Sequence, residues 1–276
     1  MSGLMRRSLL VATGLIALLL GLVAGFPARL ALGWFAPPEL RAWGVDGTVW
    51  RGRAAEVVLE GRSLGALSWQ AHPSRLLVLQ PSWSFELRRP DGYVRARVGA
   101  SLLANRQSIE NLEASLSLAT LPPAIVPNGV AGQLRATVQT LELADGWPSR
   151  IVGRAAVNEL DLPGVILTLG PFEFRFADQP GPPSGEIRSL GGPLAVDGRI
   201  DLPAPRQWRF RAELAPGESP PRELIDGLAF VGEDLGGGRR LLAGGARPTV
   251  PGLEAGWYYR PTILAGLDNS CRTAQE

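Results

Sequence analysis

The sequence predicts a mainly β protein in which an N-terminal transmembrane helix is followed by a curved antiparallel sheet or half-open barrel. Short segments along the chain alternate apolar and polar residues, which is typical of strands with one dry and one solvated face. The 276 residues include 34 glycines and 24 prolines. That composition favours many short strands with tight turns over long helices. A long apolar run near the N-terminus predicts the transmembrane helix.

The N-terminal segment predicts where in the cell the protein is located. Arg6 and Arg7 precede residues 8–28, an uncharged stretch that reaches the roughly 20 apolar residues needed to span a bilayer. The two arginines favour a cytoplasmic N-terminus, residues 1–7, and an exported remainder. A cleaved signal peptide is the alternative, but its apolar region would be shorter. We therefore expect an uncleaved single-pass anchor at residues 8–28.

Period-two alternation predicts the strands of the exported part. In residues 55–60, Ala55, Val57 and Leu59 are expected to share the dry face, opposite Glu56 and Glu60. The same pattern recurs in residues 93–100, 112–119, 194–202 and 208–214. Each segment therefore reads as a strand with one apolar and one polar face.

Turn residues separate the strands. Pro90, Asp91 and Gly92 predict a hairpin turn, and residues 179–185 predict a longer loop. Residues 220–232 predict one short helix near the C-terminal end, because Pro220 and Pro221 suit a helix start.

Glycine and tryptophan occur together in residues 44–69, directly after the apolar N-terminus. Gly47 and Gly52 are expected to punctuate or kink short strands. Trp50 and Trp69 would fill the space that such bends leave. The stretch therefore predicts a bent and tightly packed start of the sheet.

Composition and motifs argue against most kinds of chemistry. The net charge of +2 and the scattered arginines argue against nucleic-acid binding. His72 is the only histidine and Cys271 the only cysteine, and they are too far apart in the chain to suggest a zinc site. The chain contains neither a G-x-S-x-G nucleophile motif nor a phosphate-binding loop. We expect no enzymatic activity, no cofactor, no metal and no small-molecule substrate.

Several blocks, taken in order, resemble the type II secretion system protein N family, also called general secretion pathway protein N. The blocks are GFPARLAL, GVDGTVWRGRAAEV, LGALSWQAHPSRLL, LPPAIVPNGVAGQL, LELADGWPSRIVGRA, LGGPLAVDGRIDLP and the LAFVG stretch near residues 224–232. Together they cover residues 1–235. The motif positions to which we assign structural roles are Gly47, Trp50, Gly52, Trp69, Pro122, Gly129, Gly132, Trp147, Pro148 and Gly198.

The resemblance implies a non-enzymatic inner-membrane component of type II secretion, the machine of Gram-negative bacteria that exports folded periplasmic proteins across the outer membrane. It implies a β-rich periplasmic domain at residues 29–235 and contacts with other secretion subunits. Edge strands or the concave face of the sheet would make those contacts. An alternative from the residues is a periplasmic lipid-binding or lipid-bridging β-sheet module tethered to the inner membrane. A sheet with one continuous apolar face can line a groove for acyl chains.

The C-terminal residues 236–276 do not follow this resemblance. Residues 251–276 resemble an internal segment of aldehyde dehydrogenases, without the dinucleotide-binding half or the motif of the nucleophilic cysteine. A gene fusion or frameshift would explain this segment, and a genuine lineage-specific tail is the alternative. We expect residues 236–276 to be a linker and a mobile tail that confers no dehydrogenase activity.

Overall fold

The computed structural model describes residues 21–101, 104–123, 125–165 and 167–244. Residues 1–7 and most of the predicted anchor at residues 8–28 lie outside these ranges, as does the tail from residue 245 onward. Within the described ranges, no helix combines the length and the apolar character needed to cross a membrane.

The described part of the chain is mainly β, as predicted, with one sheet of fifteen strands, two short α-helices and four further helical residues at 21–24. The helices are α1 (Ala28–Phe35) and α2 (Arg222–Leu228), and 3-10 turns occur at Pro73–Val78 and Leu118–Thr120. The strands are β1 (Leu40–Trp43), β2 (Asp46–Gly47), β3 (Arg51–Leu59), β4 (Arg62–Ala71), β5 (Ser82–Arg89), β6 (Gly92–Ser101), β7 (Arg106–Ser117), β8 (Ala131–Ala144), β9 (Trp147–Asp161), β10 (Phe172–Phe176), β11 (Ser184–Ser189), β12 (Leu194–Ala204), β13 (Gln207–Pro216), β14 (Glu233–Gly236) and β15 (Arg239–Gly244).

The sheet is an antiparallel meander. From β3 to β13 each strand pairs with the next strand of the chain, whereas β1 and β2 both pair with β3 and β15 lies between β13 and β14. Among the described strands, β1 and β14 stand at the two ends and do not pair with each other. The described sheet is therefore not closed into a barrel.

Tight turns explain why consecutive strands pair. Arg89 lies opposite Gly92 in the β5–β6 hairpin, which confirms the turn predicted at Pro90–Gly92. The two-residue turn between β8 and β9 is Asp145–Gly146, with φ values of 51° and 74°. Positive φ at both turn positions matches the twist of antiparallel strands, so this turn favours a close hairpin.

From β3 to β13 the sheet has an apolar face and a charged face. One cross-strand row, on the apolar face, consists of Ala54, Leu67, Leu87, Val94, Ala114, Ala136, Ala155, Phe174, Ile187, Gly198, Ala212 and Leu242. The row on the charged face consists of Arg53, Ser68, Glu86, Arg95, Glu113, Thr137, Arg154, Arg175, Glu186, Arg199 and Arg211. Because neighbouring residues of a strand point to opposite faces, one continuous apolar surface follows from the alternation.

A bulge in β3 changes one predicted side-chain direction. The pairing of β3 with β4 shifts register between Ala54 and Val57. Ala54 and Val57 are both buried, and Ala55 is exposed. The prediction that Ala55 shares the dry face with Val57 is therefore wrong, since a bulge interrupts strict alternation.

Two buried clusters lie towards opposite ends of the apolar face. The first joins α1 to β3 and β4 through Ala28, Ala54, Val57 and Trp69. The second joins β10, β12 and β13, and Leu224 of α2 packs against it. Between the clusters, most apolar-face side chains of β7, β8 and β9 are half-buried, although Leu116 and Val157 are buried.

The C-terminal strands continue the sheet beyond residue 235. The stretch predicted as the start of a linker contains Gly237 and Gly238, which form the turn between β14 and β15. β15 then pairs with β13 along five residue pairs, from Arg240 to Gly244. The helix predicted at residues 220–232 is present but is limited to α2.

Candidate functional site

The end of the predicted anchor is hydrogen-bonded to the first strands of the sheet. Trp50 Nε1 donates to Val23 O at 2.7 Å, Val49 N donates to Phe26 O at 3.1 Å, and Pro27 and Thr48 form an isolated antiparallel bridge. We call the contact between residues 23–28 and residues 48–50 the latch. The latch fixes the end of the apolar N-terminal run against the start of the sheet.

The packing of the Trp69 side chain depends on the absence of a side chain at Gly52. They are direct partners across β3 and β4, and a Cβ atom on Gly52 would lie 2.8 Å from Trp69 Cε2 and 2.7 Å from Asp46 O. Trp69 is 9% exposed, and its Nε1 donates to Thr48 O at 3.0 Å. The missing side chain at Gly52 therefore makes room for the indole that packs the start of the sheet.

Replacing Gly52 by alanine is expected to lower the free energy of unfolding by about 2 kcal/mol, because the methyl group must displace the indole or the Asp46 carbonyl. Gly227 is the matched control, since a Cβ atom there has no neighbour within 4 Å. Gly227→Ala lies inside a helix and is expected to leave stability unchanged or slightly higher. Thermal unfolding followed by circular dichroism measures both. Equal stability of the two variants would contradict the packing account.

An apolar cavity of about 730 Å³ lies beside the latch, between α1 and the apolar face of β4 and β5. We call it the apolar groove. It also reaches Phe26 and Val49 of the latch. The side chains that define it here are Ala31, Leu32, Leu67, Trp69, Trp83 and Phe85.

The indole N–H groups of the two tryptophans that line the groove, Trp69 and Trp83, are already bonded to backbone carbonyls. Trp83 Nε1 donates to Val49 O at 3.1 Å, as Trp69 does to Thr48 and Trp50 does to Val23. These bonds leave Trp69 and Trp83 with only hydrocarbon surface to offer inside the groove. The groove therefore suits an apolar occupant, and the side chains that line it include no acid, base or nucleophile.

A second cavity, of about 930 Å³, lies on the charged face between β11, β12, β13 and β15. Several of its lining charges form ion pairs with one another or with nearby residues. Arg199 Nε lies 2.8 Å from Asp201 Oδ1, and Glu213 Oε1 lies 3.0 Å from Arg239. Hydrogen bonds from Ser184 and Arg199 lower the pKa of Asp201, so this carboxylate is stabilised in its charged form. Surface ion pairs therefore make up much of the lining of this cavity.

Four of the ten motif residues meet at the latch. Gly47, with a φ of 93°, pairs with Gly52, and Trp50 and Trp69 supply two of the indoles described above. The sequence predicted a bent, packed start of the sheet, and the structure places all four residues there.

Three further motif residues lie in or beside the segment before β8. Pro122 is fully buried, Gly129 has a φ of 84°, and Gly132 is buried where β8 begins. Arg62 holds this segment to the β3–β4 hairpin. Its guanidinium donates to Ala119 O at 3.1 Å, to Leu121 O at 3.0 Å and to Asn128 Oδ1 at 2.8 Å.

The remaining motif residues are far from the latch in the sheet. Trp147 and Pro148 begin β9 after its tight turn. Gly198 is buried in β12, where a Cβ atom would lie 2.7 Å from Ala212 Cβ and 2.8 Å from Ile187 Cγ2. The structure thus distributes the motif residues over several packing sites and does not gather them into one pocket.

Sequence reasoning missed a buried ion pair at the β5–β6 turn. Arg89 is 4% exposed in its side chain, and its Nε donates to Asp91 Oδ1 at 2.8 Å. Thr120 Oγ1 and Ser117 N also donate to Asp91 Oδ2, at 2.7 and 3.3 Å. Burial raises the pKa of Asp91, but the hydrogen bonds from Arg89 and Thr120 outweigh it and hold the pKa below its usual value.

The only histidine has a hydrogen-bonding partner in the sheet. His72 Nε2 lies 2.7 Å from Ser84 Oγ. Across the described ranges, no group of three or more His, Cys, Asp and Glu side chains is arranged to hold a metal ion. These contacts give His72 a place in the packing of β4 and β5.

The groove itself was also missed, although part of its signal is local. Trp83, Phe85 and Leu87 alternate with Ser84 and Glu86, which is the same pattern that predicted the other strands. The contribution of α1 has no such signal, because it depends on where residues 28–35 pack in three dimensions.

Comparison with known proteins identifies the family. The sequence profile described as "Type II secretion system (T2SS), protein N" matches residues 38–242. The chain belongs to the type II secretion system protein N family. A protein of Aeromonas hydrophila named "Type II secretion system protein N" is 28% identical over 243 residues, covering 85% of this chain and 96% of the relative. One with the same name from Vibrio cholerae serotype O1 is 26% identical over 230 residues, covering 80% and 91%. No solved structure matches the chain significantly.

The part of the chain that matches type II secretion system protein N coincides with the sheet. It begins just before β1, contains the ten motif residues, and ends within β15. The resemblance found in the sequence is thereby confirmed, and the protein is a type II secretion component. The match also runs past residue 235, in agreement with the pairing of β15.

Proposed function

We propose that this type II secretion component is a non-enzymatic inner-membrane protein that helps to export folded periplasmic proteins across the outer membrane. The latch is the observation that carries the proposal. It bonds the end of residues 8–28, a stretch long enough to span a bilayer, to the first strands. An anchored chain would therefore hold the sheet directly at the periplasmic membrane surface, without a flexible linker.

The ten motif residues are proposed to serve this scaffold. They are glycines, prolines and tryptophans, which shape turns and fill space but do not transfer protons or act as nucleophiles. Their positions at the latch, at the segment before β8 and in the central packing of β12 support a structural role.

Contacts with other secretion subunits are proposed at the edge next to the anchor. β1 and β14 each have four residues, and such short edges limit strand addition. Trp43 of β1 is 48% exposed, and exposed aromatic residues are enriched at protein interfaces. A partner that held the Trp43 side chain would lie beside the membrane.

Charging the predicted anchor tests this function. In a strain that lacks the gene, a Leu15→Arg/Leu19→Arg version is expected to be lost from the membrane fraction and to leave exoproteins in the periplasm, since arginine in mid-membrane costs about 3 kcal/mol per residue. Leu190→Arg is the matched control, because Leu190 is exposed in a loop of the sheet. The control and a version ending at Gly244 should both restore secretion. Membrane retention and full secretion by the double variant would contradict the proposal.

A further inference from the structure

We propose that the apolar groove binds an acyl chain of a membrane phospholipid. This inference rests on the proposed inner-membrane anchoring, because the latch brings the groove to the bilayer surface. Phe26 and Val49 belong to both the latch and the groove, so no stretch of chain separates the end of the apolar run from the cavity.

The chemistry of the groove selects hydrocarbon over peptide. Every residue that lines it is apolar or aromatic, and the indole N–H groups of its two lining tryptophans, Trp69 and Trp83, are bonded to backbone carbonyls. A peptide would bring N–H and C=O groups that need partners, and burying them unpaired is unfavourable. An acyl chain carries no such groups.

The size and surroundings of the groove fit a lipid. Its volume of about 730 Å³ lies within the roughly 300–1,000 Å³ of ligand pockets. Leu67, which lines it, also belongs to the apolar cross-strand row, so a longer chain can continue along that face. In the middle of the sheet the residues of this row are small, namely Ala114, Ala136 and Ala155. Their short side chains leave room for a methylene chain.

The entrance offers a positive charge for the headgroup. Arg29 is exposed and follows Ala28, a groove residue, in the first turn of α1. Among the described carboxylates, none forms a salt bridge with Arg29. A phosphate at the groove entrance would supply a partner of opposite charge.

Photolabelling from the bilayer tests the proposal. The full chain is reconstituted into vesicles of phosphatidylethanolamine and phosphatidylglycerol that contain phosphatidylethanolamine with a diazirine in its acyl chain. After irradiation, label is expected in the tryptic peptides Ser63–Arg75 and Leu76–Arg88, which carry the β4 and β5 walls of the groove. Ala31→Phe, which fills the groove from α1, should lower this label at least fivefold. Ala177→Phe, at an exposed loop position, should leave it unchanged.

Three outcomes would overturn the proposal. Label confined to the peptide that contains residues 8–28 would mean that the chain is anchored but the groove holds no lipid. Equal labelling of wild type and Ala31→Phe would mean that the label reports a general surface contact. Groove label that appears only when the chain ends at Gly244 would mean that residues 245–276 occupy the groove. Failure of the full chain to enter vesicles at all would instead remove the proposed function, and the lipid inference with it.

Discussion

Replacing Asp91 by asparagine is expected to lower the free energy of unfolding by about 3 kcal/mol at neutral pH. The ion-pair partner of Asp91 is Arg89, whose side chain is almost fully buried and whose Nη1 has no hydrogen-bond partner among the described residues. Without the carboxylate, a guanidinium charge would stay in the protein interior without compensation. Urea unfolding of the wild type and the variant measures the difference.

The Arg89–Asp91 ion pair also makes the free energy of unfolding depend on pH. The pKa of Asp91 is lower in the folded protein, so its stabilisation is fully present above the unfolded value of about 3.9 and is lost as pH falls through the folded value. The difference in unfolding free energy between wild type and Asp91→Asn should therefore stay constant from pH 7 to about pH 4 and shrink below that.

Asp178 supplies the control for this prediction. It accepts hydrogen bonds from Arg150 Nη2 at 2.9 Å, but its side chain is 61% exposed. Exposed ion pairs contribute little, so Asp178→Asn should cost less than about 1 kcal/mol. Equal losses in the two variants would show that burial of Arg89 is not what makes the turn pair important.

Replacing Trp69 by alanine is expected to cost about 4 kcal/mol, because the substitution removes a buried indole from the first cluster and leaves a cavity. It also removes the hydrogen bond to Thr48 O and so loosens the latch. Thermal unfolding measures the loss of stability, and hydrogen exchange at the Val49 amide, which bonds to Phe26 O, reports on the latch.

Trp208→Ala is the matched substitution for that experiment. Trp208 lies in β13 and is 42% exposed, so its truncation should cost about 1 kcal/mol and leave the Val49 amide protected. A similar loss in both variants, or an unchanged exchange rate in Trp69→Ala, would contradict the role assigned to Trp69.

The sequence was sufficient to predict a mainly β protein because strands and turns have local signals. The alternation in residues 93–100 and the turn at Pro90–Gly92 correspond directly to β6 and its hairpin. The direction of Ala55 could not be read in the same way, because a bulge depends on how β3 meets β4. Whether the sheet closes was also beyond sequence reasoning, since that depends on β1 and β14, almost 200 residues apart in the chain.

The candidate site was predictable only in part. The resemblance pointed to Gly52, Trp50 and Trp69, and the structure shows what brings them together. The groove needs Ala31 and Phe85 to meet, and no periodicity links residues so far apart. Sequence reasoning missed the Arg89–Asp91 ion pair for a different reason. Asp91 was already explained as a turn residue, so nothing in the sequence indicated that it had an ion-pair partner.

The meander topology has a consequence for how the protein is made. From β3 to β13 each strand finds its partner in the segment synthesised just before it, so most pairing contacts are close in sequence and loop closure costs little. A chain that crosses the membrane from its N-terminal end would present β1 to β3 first, at the anchor. Folding can then advance strand by strand as translocation proceeds, with the latch as its starting template and with only the newest strand adding an unpaired edge to that of β1.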